Sequence, residues 1–285
     1  MALIELSNQQ LIRARRRAHL WSVVPGYIGL LIIIFWIFAA FTAQYWIPHG
    51  PFDMVGRRLQ PPGMDHFFGT DSLGRDVFSR TMSGAVYSIP IAFVVVCAGA
   101  MLGSLLGALA GFFGGWVNTI IMRLVDVTLS FPPMLLAMAV AASLGPGLWT
   151  ATIAMIAVWW PLYARLMQAQ VISVKQMEHV DAAISSGVKR GRLLRKYILP
   201  LCWTPILINA TMDFGQVVLL AASLSFIGLG AAPPAPEWGA MVSDGAVNFY
   251  YWWIAAAPGT AILSVVLALN FIGDRVRDIL DPRKV

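Results

Sequence analysis

Six long apolar stretches alternate with polar segments along this chain. They cover about residues 20–47, 85–113, 116–142, 148–166, 200–222 and 252–272. A helix needs roughly 20 apolar residues to cross a hydrocarbon core of about 30 Å, so the pattern predicts six transmembrane helices. Trp21, Tyr45 and Trp46 flank the first stretch, as aromatic side chains do at membrane interfaces. That stretch follows a polar, basic arm and is too long for a signal-peptide core, so it reads as a retained membrane anchor.

Several features inside the stretches predict how the helices pack. Gly103, Gly107 and Gly111 recur every four residues, which makes a face for close helix–helix approach. Gly114 and Gly115 then form a short turn, and SLGPG over 143–147 forms another. Pro132 and Pro133 predict a kink in the third helix. Arg123 and Asp126 stand three apart and read as a local ion pair. Asn209, Asp213 and Gln216 form a polar stripe in the fifth helix. A carboxylate within a membrane faces the bundle interior or a water-filled cavity. The stripe therefore lines a substrate path or makes a hydrogen-bonded seam, and the sequence leaves both readings open.

Composition agrees with the pattern: 58% of residues are hydrophobic and 12% charged, with a mean hydropathy of +0.72. A soluble domain carries about 25% charged residues, so this is an all-α integral membrane protein. The net charge of +6 arises from Lys and Arg at the ends of the apolar stretches, which points to the positive-inside rule rather than to nucleic acid. Residues 1–19 read as a cytoplasmic arm, 20–84 as the first transmembrane helix and a periplasmic loop, and 85–285 as a core of five helices with a cytoplasmic loop at about 167–199 and a cytoplasmic tail. With both termini cytoplasmic, only Arg57, Arg58, Arg75 and Arg80 fall outside, beside four aspartates. Cys97 and Cys202 lie far apart and suggest neither a disulfide framework nor metal spacing. His19, His49, His66 and His179 are scattered, and no metal site is expected.

The segment from Val180 to Pro200 is the most informative. It carries Lys189, Arg190, Arg192, Arg195 and Lys196, too many charges for a bilayer core. Val180, Ala183 or Ile184, Gly187 and Val188 form one apolar stripe at helical spacing, with Glu178, Asp181 and Ser185 off it. Gly187 suits a helix stop, a second basic helix can run over 189–199, and Pro200 suits the first turn of the next helix. The stripe needs a cover, either lipid or a protein groove. The small residues Ala182, Ala183 and Gly187 favour a groove.

Asp181-Ala182-Ala183, Gly187, Ile198 and Leu199-Pro200 resemble the EAA loop of ABC-importer permeases, with Asp181 in place of the usual Glu and Tyr197 where many members have Ile. HFFGTDSLGRDVFSR over 66–80 resembles the periplasmic signature of the dipeptide, oligopeptide and nickel subclass, through Gly69, Asp71, Gly74, Arg75 and Asp76. LSFIGLGAAPPAPEWGAM over 224–241 resembles a second part of that pattern, through Pro233, Pro234, Glu237 and Trp238, although Ala221 stands where many members carry an acid. The resemblance covers about residues 66 to 284. It implies a type I ABC-importer permease in the bacterial inner membrane that moves peptides or a related small solute. It also implies a second homologous permease, two ABC ATPase subunits that bind ATP and Mg, and a periplasmic substrate-binding protein. The EAA-like loop would then dock in an ATPase cleft.

The chain has no GxxxxGK[ST], GxSxG or HExxH. It is thus expected to have no catalytic residues and no cofactor of its own, and to contact lipid and its protein partners but not nucleic acid. The alternative is a secondary transporter coupled to ions through Asp213. Such a carrier has no use for an ATPase-docking loop.

Overall fold

The computed structural model describes the backbone of residues 2–280 and the side chains of residues 24–280. The basic residues expected in the tail at Arg283 and Lys284 lie outside the described residues. The fold is all-helical, and among the described residues no strand forms beyond two isolated bridges.

Helix α1 (Ala2–Trp46) includes both the expected arm and the first apolar stretch in one rod. Helix α2 (Val77–Phe113) begins eight residues earlier than its apolar run, because Asp76 caps it by accepting the Ser79 N–H. Helices α3 (Gly115–Leu129) and α4 (Pro133–Leu144) follow, then α5 (Leu148–Lys175). Helix α6 (Glu178–Ser185) is short. Helix α7 (Arg190–Leu193) passes through a π-helical turn at Leu194–Ile198 into α8 (Leu199–Phe226). Helices α9 (Trp238–Val247) and α10 (Trp253–Leu280) complete the described chain.

Three expectations about the spans change. The third is not a kinked helix: α3 and α4 meet at 93°. Pro133 starts α4, where its missing N–H is no loss, and Pro132 keeps the preceding residues out of helix. The fifth span starts at Arg190 rather than Pro200, so the basic run is the first part of the same rod. The π turn, in which Leu199 N–H donates to the Leu194 carbonyl, lies directly before Pro200, which has no N–H to continue the ladder. Finally, among the described residues four helices are long and apolar enough to cross a membrane, and the bent pair makes a fifth. The remaining expected span is α5, whose 28 residues include Trp149, Trp159, Trp160, Tyr163 and Arg165, which dilute its hydropathy.

The rods alternate in direction. Helices α2 and α5 run parallel: Gly99, Gly103, Gly107 and Gly111 meet Trp159, Tyr163, Ala164 and Gln168 in that order. The expected glycine face is therefore the α2–α5 contact. Helix α1 runs against α10, with Gly26 on Arg275, Gly29 on Phe271 and the Trp36 indole donating to Ser264 Oγ at 2.9 Å. Helix α8 also runs against α10, with Gly215 beside Val266 and Asn270. The end of α2, the end of α5, α6 and the end of α10 thus share one end of the molecule. The 48–76 loop and α9 occupy the other.

Candidate functional site

At the α6 end, the local chemistry sets a compact turn-like helix. Glu178 and Asp181 sit in its first turn, where negative charge favours the helix N-terminus. Its exit is a Schellman motif. Val188 N–H donates to the Ala183 carbonyl at 3.2 Å and Gly187 N–H to the Ile184 carbonyl at 2.9 Å, with Gly187 at φ +75°. A side chain at Gly187 would meet no atom within 4 Å, so glycine is needed there for its backbone angle and not for space within this chain.

The stripe expected to be covered by lipid or a protein groove is instead covered within this chain. Val180 and Ala183 are buried in this chain's own core, together with Leu193 and Ile198, and Val188 packs against them. Glu178, His179, Asp181, Ala182, Ser185, Ser186 and Gly187 are exposed, and Ile184 is 54% exposed. Of the EAA-like residues, Asp181, Ala182, Gly187 and Pro200 therefore face outward, Ala183 faces inward and Leu199 is half-buried. The face left free is the polar one, with Ile184 at its edge beside the buried stripe.

At the opposite end, the two outer motifs come together. Asp71 Oδ1 accepts the N–H groups of Leu73 and Arg75, both at 2.9 Å, and Asp71 Oδ2 accepts Arg75 Nε at 2.7 Å. Gly69 and Gly74 adopt φ of +70° and +81°. Arg80 Nη1 donates to the Pro51 carbonyl at 2.8 Å and to the Pro234 carbonyl at 3.3 Å, so one guanidinium joins both motifs. Glu237 caps α9 through the Ala240 N–H at 2.9 Å and accepts Ser88 Oγ of α2 at 3.2 Å. The Trp238 indole, fully buried, donates to the Thr81 carbonyl at 2.8 Å. Ser72 Oγ reaches Asp244 of α9 at 2.8 Å. Between the motifs lies a cavity of about 270 Å³, lined by Asp71, Arg75, Arg80, Pro233, Pro234 and Asp244 among others.

Between the two ends, the predicted polar stripe separates into three environments. Asp213 is buried, and its Oδ2 accepts Tyr163 Oη at 2.7 Å and Trp159 Nε1 at 3.2 Å, both from α5. Asn209 Nδ2 donates to the Pro205 carbonyl one turn earlier in the same helix at 2.9 Å, and Gln216 is exposed. The Arg123–Asp126 pair does not form. Asp126 pairs instead with Arg165 of α5, and Gln168 donates to Asn118 at 2.8 Å one step along the same seam. Both members of the Asp126–Arg165 pair are about half exposed.

Sequence spacing gave no sign of one cluster. His49 and His66, 17 residues apart, come to 5.2 Å between ring centroids, and His66 Nδ1 lies 3.0 Å from Asp76 Oδ1. Each of His49, His66 and Asp76 offers a ligand atom within 4.8 Å of the others, the one such group able to hold a metal among the described residues.

The description of binding-protein-dependent transport system inner membrane components matches residues 103–285. A probable D,D-dipeptide transport system permease protein, DdpC, of Escherichia coli is 43% identical over 266 residues, which cover 92% of this chain and 87% of that protein. The dipeptide transport system permease protein DppC of Alkalihalophilus pseudofirmus is 41% identical over 262 residues, 90% of this chain and 85% of its own. The glutathione transport system permease protein GsiD of Shigella sonnei is 41% identical over 272 residues, 95% of this chain and 89% of its own. Among solved structures, an inward-facing conformation of the MetNI methionine ABC transporter aligns with a TM-score of 0.58 at 19% identity, covering 70% of this chain and 96% of that chain. That likeness is one of fold.

Proposed function

The chain belongs to the family of binding-protein-dependent transport system inner membrane components, and we propose that it is the transmembrane subunit of an ATP-driven importer for peptides or a related small solute. The names of its relatives supply the substrate class: dipeptides, D,D-dipeptides and glutathione. As an inner-membrane permease it leaves ATP hydrolysis to separate subunits. We assign it a second permease, two ATPases and a periplasmic binding protein, with the α6 end cytoplasmic and the 48–76 loop and α9 periplasmic.

One observation carries this reading. Helix α6 has its apolar side sealed on its own chain and its polar side open, directly after α5. Such a helix is already rigid before anything docks on it. A push on its free face passes into α5, and from α5 through the close glycine contact into α2 and through the Asp126–Arg165 pair into α3. ATP-driven closure of the ATPases would thus move packed helices as a body and shift the permease between inward- and outward-open states. The exposed Gln216 and the half-exposed Asp126–Arg165 pair are the groups we place on the path or against the second permease. The carboxylate of Asp213 belongs to a seam between α5 and α8. An ion-coupled carrier built on Asp213 draws no support from the relatives, and its carboxylate is already engaged by Tyr163 and Trp159.

The test is recovery of the tagged chain from native membranes in mild detergent, with mass spectrometry of its companions. A second permease and P-loop ATPases are expected. Ile184→Arg should lose the ATPases but keep the second permease. Recovery of this chain alone, transporting with only an ion gradient, would sink the proposal. Full ATPase recovery with Ile184→Arg would remove α6 as the docking site.

A further inference from the structure

We infer that His49, His66 and Asp76 form a site for a divalent transition-metal ion of the zinc type, at the end of the molecule that carries α9. The inference is independent of the transport reading. The three residues come from three places: the turn after α1, the folded 48–76 loop, and the cap of α2. Two imidazoles and one carboxylate make a donor set suited to zinc, which accepts three protein ligands and leaves a fourth position for water. Calcium and magnesium favour all-oxygen sites.

The geometry is close to coordination. With bonds of about 2.0–2.1 Å, two ligands of a tetrahedral zinc lie about 3.3 Å apart. His66 Nδ1 and Asp76 Oδ1 are 3.0 Å apart. The widest ligand separation is within 4.8 Å, so a shift of roughly 1–1.5 Å closes the set at that spacing. The carboxylate is also held from behind: Asp76 Oδ2 accepts Ser79 N–H at 2.8 Å and Ser79 Oγ at 2.7 Å, which leaves Oδ1 turned to His66. Support of this kind orients metal ligands.

Helix capping and the bond to His66 account for Asp76 without a metal. They do not account for His49. Its backbone N–H, at 3.4 Å from Ser79 Oγ, fixes its place, yet among the described residues its ring makes no hydrogen bond and instead tilts against the His66 ring at 45°. An ion there would clip the end of α1 to the start of α2 and close the loop that supports the outer motif.

The experiment uses the full-length chain in its detergent-solubilised complex, stripped with EDTA and titrated with Zn²⁺ by calorimetry, with melting followed in parallel. One saturable site per chain is expected, with a Kd of about 1 µM or tighter, and a zinc-dependent rise in Tm. Loss of His66 or Asp76 can unfold the loop itself, so His49→Ala is the decisive variant. It should keep the fold, weaken zinc binding by about tenfold or more, and abolish the Tm rise. His179→Ala, on α6, should change neither. Absence of saturable binding, or equal binding by wild type and His49→Ala, would overturn the site; zinc held elsewhere in the complex would give the second result.

Discussion

A methyl group on Gly107 has no place to go. Built on the backbone, it would lie 2.9 Å from the carbonyl carbon of Ala164 and 3.0 Å from its Cα, and nearer still to its oxygen. Carbon atoms pack best at about 3.5–4.0 Å, so the shortfall is at least about 0.5 Å. The obstacle is the backbone of α5, which has no rotamer to change. Gly103 and Gly111 repeat the same contact one turn before and after, so α2 and α5 must separate along the whole face. A gap of 0.5–1 Å forfeits about a quarter to a half of each contact's attraction, and overpacking of this kind costs about 1–3 kcal/mol. Against it stands a helix-propensity gain of about 1 kcal/mol for Gly→Ala.

The net loss is therefore about 0–2 kcal/mol, or a Tm lower by up to about 8 °C if this chain scales like other chains of its size. Cys97 on α2 and Cys202 on α8 are free thiols on packed helices, so a fluorescent dye that reacts with thiols as they become exposed reports melting. Gly259→Ala is the control, because nothing lies within 4 Å of a Cβ there; it should melt at or above the wild-type temperature. A Gly107→Ala protein that melts as high as Gly259→Ala would refute the close-packing account, whatever its transport rate.

Three further outcomes follow from the contacts. Gly187→Val places a branched side chain at φ +75°, at a cost of about 1–2 kcal/mol, and should reduce substrate-stimulated ATP hydrolysis in reconstituted complexes; an unchanged rate would show that the turn after α6 is not needed for coupling. Trp238→Phe removes the indole bond to the Thr81 carbonyl and should lower stability by about 1–3 kcal/mol, read in the same dye melt, where an unaltered Tm would count against that bond. Asp126→Asn or Arg165→Gln alone should depress uptake more than the exchange Asp126→Arg with Arg165→Asp, measured with labelled dipeptide in proteoliposomes; equal loss in all three would show that the pair matters for more than its attraction.

Much of the architecture was legible because it rests on local rules. Apolar length marked the rods, the four-residue glycine period marked the α2–α5 contact, and Gly187 marked the end of α6. Two readings failed where the deciding atoms come from elsewhere in the chain, and a third held in part. Asp126 had Arg123 as its nearest opposite charge in sequence, but α5 lays Arg165 across the seam. His49 and His66 looked scattered because the 48–76 loop folds back through bonds such as Thr70 N–H to the Gln60 carbonyl. The Asn209–Asp213–Gln216 stripe does share one face, since positions i, i+4 and i+7 span only about 60°, but the Trp159 and Tyr163 side chains of α5 reach Asp213 and leave Gln216 exposed.

The apolar stripe of α6 is the most instructive of these. A helix of eight residues cannot hold itself in water, so its apolar side is needed to attach it to the body that carries it. Val180 and Ala183 do this, and their burial leaves the polar face and Ile184 exposed. A short helix that transmits force must first be fixed to its own lever. Amphipathic periodicity in such a helix therefore marks the side that is bound within the chain, and the docking surface is to be sought on the opposite face. Ile184 is the residue that separates the two ideas: it is apolar, close to the stripe, and 54% exposed. If Ile184→Arg spares ATPase binding while Val180→Arg unfolds α6, the partner reads some other surface; if Ile184→Arg alone releases the ATPases from an intact permease, the inversion holds.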